Sequence, residues 1–344
     1  MSDLDAALAW FWHPVATVAE LDAAGGILAT RLLDRDLVLA RLADGSLALL
    51  VDRCPHRSTR LSVGWVEGAS IRCAYHGWRW DAGGRCVEIP SAPRSPVPPR
   101  FRQDAFDVEE RHGLVWGRLR SGAPTSIPPV PAADGAPMRV VTGDPYVWPT
   151  SAPRRVENFV DLAHFPWVHD GSLARRADAV PPEVDLDRVD GELRFTYTSP
   201  GLASPDDAAL IGPSWYRMPM PLTVDIAFLM PRPQAPPARR HLWMTAAPLD
   251  PATCRTYWSI ARDDDLDGPD EPHLAFQHRV IEEDRPLVCN QVPAEIPLEV
   301  TGELHVKADK VSLEYRRWLR ELVEAAGDAA SLSRALGAAY VGAA

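Results

Sequence analysis

The chain has 344 residues, 46 % of them apolar and 24 % charged, enough for two buried cores and ordinary for a globular protein. Its formal charge of −11 argues against a nucleic-acid partner, which needs a basic footprint. No apolar run reaches the ~20 residues of a membrane span, and the start, MSDLDAALAW, carries acids and no basic leader region, so the expected location is cytoplasmic.

Residues 27 to 51 alternate short apolar runs around the turn ADGS and read as β-hairpins. ASIRCAYHGWRWDAGGRC has the same texture, with a turn at DAGG, and HGLVWGRLR supplies a further strand. The proline-rich stretch 121 to 137 marks a boundary, predicting domains over 1–122 and 123–344. Beyond it, 153–169 is expected to be helical, 184–260 stranded with turns at VDGE and PRPQAPPAR, and 272–291 helical again. A last amphipathic helix is expected over 309–325, with Trp318, Leu319, Leu322 and Val323 on one face and Arg316, Arg317, Arg320 and Glu321 on most of the rest. The predicted class is therefore α+β, an all-β domain followed by an α+β domain.

Five cysteines are too few and too scattered for a disulfide framework. Cys86, Cys254 and Cys289 are read as reduced, buried, small apolar residues. Cys54 and Cys73 have a different context. Each ends an apparent strand, in LALLVDRCPH and SIRCAYHG, and each is followed by a histidine, His56 and His76. Zinc fingers group two cysteines in one knuckle and two histidines on a helix. One Cys and one His per knuckle suits an asymmetric iron pair, with two thiolates on one iron and two imidazoles on the other. That is Rieske [2Fe–2S] ligation. A structural zinc site is the competing reading.

A second centre is sought in RRVENFVDLAHFPWVHDGSL. Asn158, Asp161 and His164 recur at i, i+3 and i+6, a polar stripe on an apolar segment that is costly to bury without a partner. Pro166 is expected to interrupt the helix and turn His169 toward the same point. A carboxylate would complete the two-His-one-carboxylate set of oxygen-activating iron(II). In VIEEDRPLVCNQ the candidates are Glu282, Glu283 and Asp284, and Asp284 is chosen because it precedes an expected kink at Pro286. Helical spacing from Asp284 then proposes Leu287, Val288 and Gln291 as the substrate pocket. Nine arginines between residues 53 and 102 face only three acids, Glu67, Asp81 and Glu88. They fit either a subunit interface or a basic face for an acidic electron donor.

Through FWHPVATVAEL, CPH…CAYHGW, ENFVDLAHFPWVH, EEDRPLVCNQ and VKADKVSLEYRRWLREL, the chain resembles the α-subunits of Rieske non-heme iron oxygenases. Within that family it is similar to the branch of methylxanthine N-demethylases, vanillate- and dicamba-type O-demethylases and paralytic-toxin hydroxylases. The resemblance implies a Rieske domain, a helix-grip catalytic domain and a head-to-tail homotrimer. It implies that electrons pass from the cluster (Cys54, His56, Cys73, His76) to a neighbouring subunit's iron (His164, His169, Asp284). Asp161 would bridge the two centres, with His76 on the cluster side. The implied chemistry uses O2 and electrons from NAD(P)H, delivered by a separate reductase or ferredoxin, for monooxygenation or oxidative N-demethylation of a small heterocycle. O-demethylation, or hydroxylation of an aromatic or natural product, stays open. Two readings from other classes are an electron-transfer protein whose second domain only binds a partner, and a zinc-stabilised binding module.

Overall fold

The computed structural model describes residues 2–122, 125–130, 137–181, 183–189, 191–197, 213–232 and 234–336. The chain divides into two compact units, Asp5–Ile127 and Pro128–Ala344.

After the short helix α1 (Asp3–Leu8), the first unit is built from small antiparallel sheets. Strands β1 (His13–Thr17), β2 (Ile27–Leu32), β3 (Arg35–Arg41) and β4 (Leu47–Val51) come first, with helix α2 (Val18–Ala23) between β1 and β2. A capping box starts α2: Glu20 N–H donates to Thr17 Oγ1 at 3.0 Å, and the Glu20 carboxylate accepts from Thr17 N–H at 2.9 Å. The predicted hairpins at 27–51 form the β2–β3–β4 sheet, whose central residues Leu37 to Ala40 are fully buried. Next come β5 (Trp65–Val66), β6 (Ser70–Arg72), β7 (Arg79–Asp81) and β8 (Cys86–Glu88), four short strands forming one sheet in that order. The DAGG turn joins β7 to β8. Gly84 sits there at φ +74°, and a Cβ would come within 2.3 Å of the Gln103 carbonyl, so only glycine fits. Strands β9 (Asp107–Arg111) and β10 (Leu114–Arg118) pair with β1 and complete the unit.

In the second unit an antiparallel sheet of eight strands is described: β11 (Arg139–Thr142), β12 (Tyr146–Trp148), β13 (Asp185–Val189), β14 (Glu192–Tyr197), β15 (Ser214–Met220), β16 (Thr223–Met230), β17 (Ala238–Asp250) and β18 (Thr253–Arg262). The order is β11-β18-β17-β16-β15-β14-β13, with β12 also on β18, so two strands unseen in the sequence finish one edge. Helix α3 (Ala152–Val160) packs on β17 and β18, and α4 (Phe165–Val168), α5 (Glu271–Val288), α6 (Lys310–Ala325) and α7 (Ala329–Leu336) follow. This is the helix-grip arrangement, and the class is α+β.

Two helical expectations change. Residues 153–169 are not one kinked helix: α3 stops at Asp161, which is extended (φ −79°, ψ 121°), and Pro166 begins α4. Proline is well placed in a first turn because its missing N–H has no intrahelical partner there. Pro286, by contrast, lies inside α5, which continues to Val288.

Helix α6 buries Tyr315, Trp318, Leu319 and Leu322 completely, each such apolar side chain contributing roughly 1.5–3 kcal/mol. Arg316, expected on the solvated face, is buried instead. Its guanidinium donates to both Glu157 oxygens at 2.5 and 2.9 Å and to Glu303 at 2.6 Å, while Arg154 donates to Glu303 at 2.6 Å. Two cations and two anions cancel, which is the condition for burying such charges at all. No helix among the described residues is long and apolar enough to cross a membrane.

Candidate metal centres and substrate cavity

In the first unit, Cys54 and His56 follow β4, and Cys73 and His76 follow β6. The two loops close alike. Ser58 N–H donates to Cys54 O at 2.8 Å, and Gly77 N–H to Cys73 O at 3.0 Å. Ser58 and Gly77 both sit at positive φ, 57° and 71°. Each cysteine thus starts a matching backbone knuckle, although its histidine follows after one residue in the first (Cys54, His56) and after two in the second (Cys73, His76). The cysteines are buried at 2 % exposure, while His56 is half-buried and His76 exposed. Burial, with the Cys73 thiol adding, pushes Cys54 up to about 11, a cost that iron binding to thiolates removes. The imidazoles of His56 and His76 lie 4.5 Å apart edge to face, and His56 stacks on Trp78 at 4.4 Å. Two buried thiols with one half-buried and one exposed imidazole fit a Rieske cluster, which Cys54, Cys73, His56 and His76 would hold.

Many of the arginines around this loop pair are already used within the unit. Arg72 and Arg79 bind Glu67 and Glu88, and Arg85 binds Asp81. Arg57, Arg94 and Arg100 are exposed.

In the second unit the ligand atoms of His164, His169 and Asp284 lie within 4.8 Å of one another. Asp284 Oδ1 is 3.4 Å from His164 Nε2 and 3.1 Å from His169 Nε2. His164 precedes α4 and His169 follows it, so this single turn sets their separation. Burial opposes charge on Asp284, but His164, His169 and Arg155 outweigh it and hold its carboxyl far below the usual range. Burial likewise opposes charge on His164, yet Asp161 and Asp284 raise it to about 9. Two nitrogen donors and one ionised oxygen sharing a point fit a divalent iron.

The far side of each imidazole meets a carboxylate, the usual way such ligands are oriented. His169 Nδ1 is 2.7 Å from Glu283, which also accepts from Ser172 Oγ at 2.8 Å. His164 Nδ1 is 3.5 Å from Asp161 Oδ2. Asp161 Oδ1 accepts from Ala163 N–H at 2.8 Å, and Asn158 Nδ2 donates to Asp284 Oδ1 at 3.4 Å. Glu283 was not singled out from Glu282 in the sequence, because its function depends on what lies across from it.

A cavity opens on the triad. Phe159, Phe165, Ile226, Leu242, Met244 and Ile281 give it an apolar wall, and Gln277 puts a carboxamide into it. Leu287, Val288 and Gln291 are elsewhere: they line a second, more polar cavity with Asp161, Glu303 and His305. Leu287 and Val288 share a helical stripe with Asp284, while Gln291 lies past the end of α5. The apolar cavity, however, lies along that stripe toward the N-terminus, where Ile281, Val280 and Gln277 stand at i−3, i−4 and i−7.

Residues 11–101 match the Rieske [2Fe-2S] domain, and residues 148–325 match the vanillate O-demethylase oxygenase C-terminal domain. The chain is 41 % identical over 320 residues to methylxanthine N1-demethylase NdmA of Pseudomonas putida, covering 92 % of this chain and 89 % of that one. It is 39 % identical to methylxanthine N3-demethylase NdmB of the same species, covering 91 % and 88 %. The structure of P. putida CBB5 NdmA with caffeine superposes with a TM-score of 0.89 at 39 % identity, over 98 % of this chain and 97 % of that one. Matched along nearly its whole length and carrying both candidate centres, the chain is a member of the Rieske non-heme iron oxygenase α-subunits, in the branch of the methylxanthine and vanillate demethylases.

Proposed function

We propose that the chain is the terminal oxygenase for oxidative demethylation of a flat, uncharged N-methyl heterocycle. The observation that carries this is the composition of the cavity beside the triad. Its one described cation besides the ligand histidines, Arg155, is committed to Asp284 and Asn158 and sandwiched by aromatic rings, so among the described residues no charge is left for a substrate carboxylate. Apolar walls with one available amide suit a neutral ring bearing polar edges. Gln277 can both donate to a ring carbonyl and accept from a ring N–H. The relatives named for methylxanthine demethylation support the same class.

Bound at the triad, ferrous iron supplies the dioxygen activation that inserts one oxygen atom into a C–H bond and releases the other as water. The apolar wall excludes bulk water, and Gln277 orients the ring so that one methyl group faces the triad. The hydroxymethyl amine then loses formaldehyde, leaving the N–H product. Two electrons per turnover come from NAD(P)H through a separate reductase, a reading that the similarity to the oxidoreductase NdmD of P. putida supports. A homotrimer is proposed with it. Leu304 and Val306 are exposed at 101 % and 66 %, and Leu304 borders the polar cavity that reaches Asp161, a surface suited to a second copy.

The test is formaldehyde release, with a reductase and NADH, across neutral N-methyl heterocycles and O-methyl benzoates. Heterocycles should turn over and benzoates should not; the reverse order would overturn the reading. Replacing Gln277 with Leu should cost about 1–3 kcal/mol in kcat/KM for ring carbonyl substrates, with both metal contents intact. An equal loss for every substrate would remove Gln277 from the pocket.

A further inference from the structure

Arg155 has no exposed side-chain surface, and its partners describe a fixed guanidinium rather than packing alone. Nη1 donates to Asp284 Oδ2 at 3.3 Å and to Asn158 Oδ1. Nε and Nη2 both donate to the Tyr146 hydroxyl, at 3.0 and 2.8 Å. Trp148 and Phe159 cover the guanidinium carbon at 4.2 and 3.9 Å. Hydrogen bonds at both ends and aromatic rings over the guanidinium leave its plane no freedom to turn. The two oxygens of Asp284 are consequently unlike: Oδ1 faces both imidazole Nε2 atoms, and Oδ2 faces Arg155.

We propose that Arg155 is a positioning residue for the iron site, with two linked effects. By holding Oδ2 it keeps Asp284 a one-oxygen ligand, so that coordination positions stay open for dioxygen. Its buried positive charge also opposes the ferric state more than the ferrous one, because repulsion between the two cations grows with the metal's charge. The ferric–ferrous potential would thereby be held up, favouring the ferrous state. Asn158 links the same parts, accepting from Arg155 and donating to Asp284 Oδ1, so the arginine, amide and carboxylate move as one.

This rests on the triad holding iron, which the parent protein's own ferrous–nitric oxide signal tests separately. The measurement uses full-length Arg155→Gln and Arg155→Lys, reconstituted with ferrous ion. Mononuclear iron content, the EPR spectrum of the nitric oxide adduct and the ferric–ferrous midpoint are read alongside the [2Fe–2S] absorption. Gln should keep one mononuclear iron per chain, because removing a cation does not weaken attraction for Fe2+. Its midpoint should fall and its adduct spectrum should change. Lys retains the charge without the fork, so its midpoint should return toward the parent value while the adduct spectrum stays altered. A support role predicts the opposite pattern, with iron lost and the remaining sites spectroscopically like the parent, and that result overturns the proposal. If the Gln protein does not fold, Lys alone decides: an adduct spectrum identical to the parent's would equally overturn it. A parent protein with no ferrous–nitric oxide signal would sink the triad reading along with it.

Discussion

Glu283 and Asp284 are neighbours of the same chemical type with different work. Successive side chains on a helix diverge by about 100°, so Asp284 reaches both imidazole Nε2 atoms while Glu283 meets the far nitrogen of His169. Substituting Asp284 with Ala should therefore abolish mononuclear iron and turnover while leaving the [2Fe–2S] absorption, since the centres share no ligand. Replacing Glu283 with Ala should weaken iron binding only about 10–100-fold and be rescued by excess ferrous ion. Titration of the apo proteins with iron separates the two, and exchanged outcomes would mean the ligand is Glu283. At the other centre, His56→Cys should retain a cluster whose midpoint falls by a few hundred millivolts, on the order of the gap between Rieske and all-cysteine clusters. Protein-film voltammetry would reveal it, and an unmoved midpoint would remove His56 from the ligand set.

At the level of elements, α3 and α6 are joined by the buried box of Arg154, Glu157, Glu303 and Arg316. Burial opposes charge on Glu303, but the two arginines prevail and bring its carboxyl down to about 2 from an ordinary 4.5. A depressed carboxylate contributes stability that is complete above its unfolded value and is lost as pH falls through the folded one. Glu303→Gln should thus destabilise the protein by about 1–2 kcal/mol at pH 7. The difference from the parent should shrink below pH 4.5 and vanish near pH 2. Urea unfolding of both proteins at several pH values reads this directly, and a pH-independent difference would exclude the ion pair as its cause. Helix α5 shows a second consequence at this scale: one stripe serves two cavities, with Gln277 and Ile281 lining the apolar one and Leu287 and Val288 the polar one.

At the level of the assembly, Asp161 occupies the place where a bridge to a second copy would form. Its Oδ1 caps the α3 end through Ala163, Oδ2 stands 3.5 Å from His164 Nδ1, and a third of the side chain is still exposed (35 %). The partner surface would carry His76, which is exposed beside Tyr75 at 63 %. Asp161→Asn preserves shape but loses the charge and one acceptor. If Asp161 bridges, both centres should load and the cluster should reduce normally, while its single-turnover reoxidation with substrate and O2 slows by orders of magnitude. If Asp161 only orients His164, iron content should fall instead, and the loaded sites should reoxidise the cluster at the normal rate. Sedimentation should give a trimer mass in either case, whereas a monomer would leave the bridge without a second side.

The His164, His169 and Asp284 triad was readable without a fold because imidazoles and carboxylates on apolar segments are few. So was the Rieske domain, because a Cys-His pair occurs twice, with one residue between Cys54 and His56 and two between Cys73 and His76. The same holds for the α+β class, set by hydrophobic periods within each segment, and for the amphipathic α6 apart from Arg316. Misreadings arose wherever the outcome depended on what lies opposite. Arg316 looks like a surface cation until Glu157 and Glu303, distant in sequence, are brought to it. Leu287 and Val288 share a helical face with Asp284, but spacing says nothing about which end of that face meets the apolar cavity, and Gln291 lies past the end of the helix. Arg155 stands in the same run as Asn158 and His164 and carries no local sign of importance. Only the packing of β12, α3 and α5 puts Tyr146, Trp148 and Asp284 around it. Ligand identity is a property of residue type and short spacing, whereas charge compensation and cavity shape are properties of surfaces that meet only after folding.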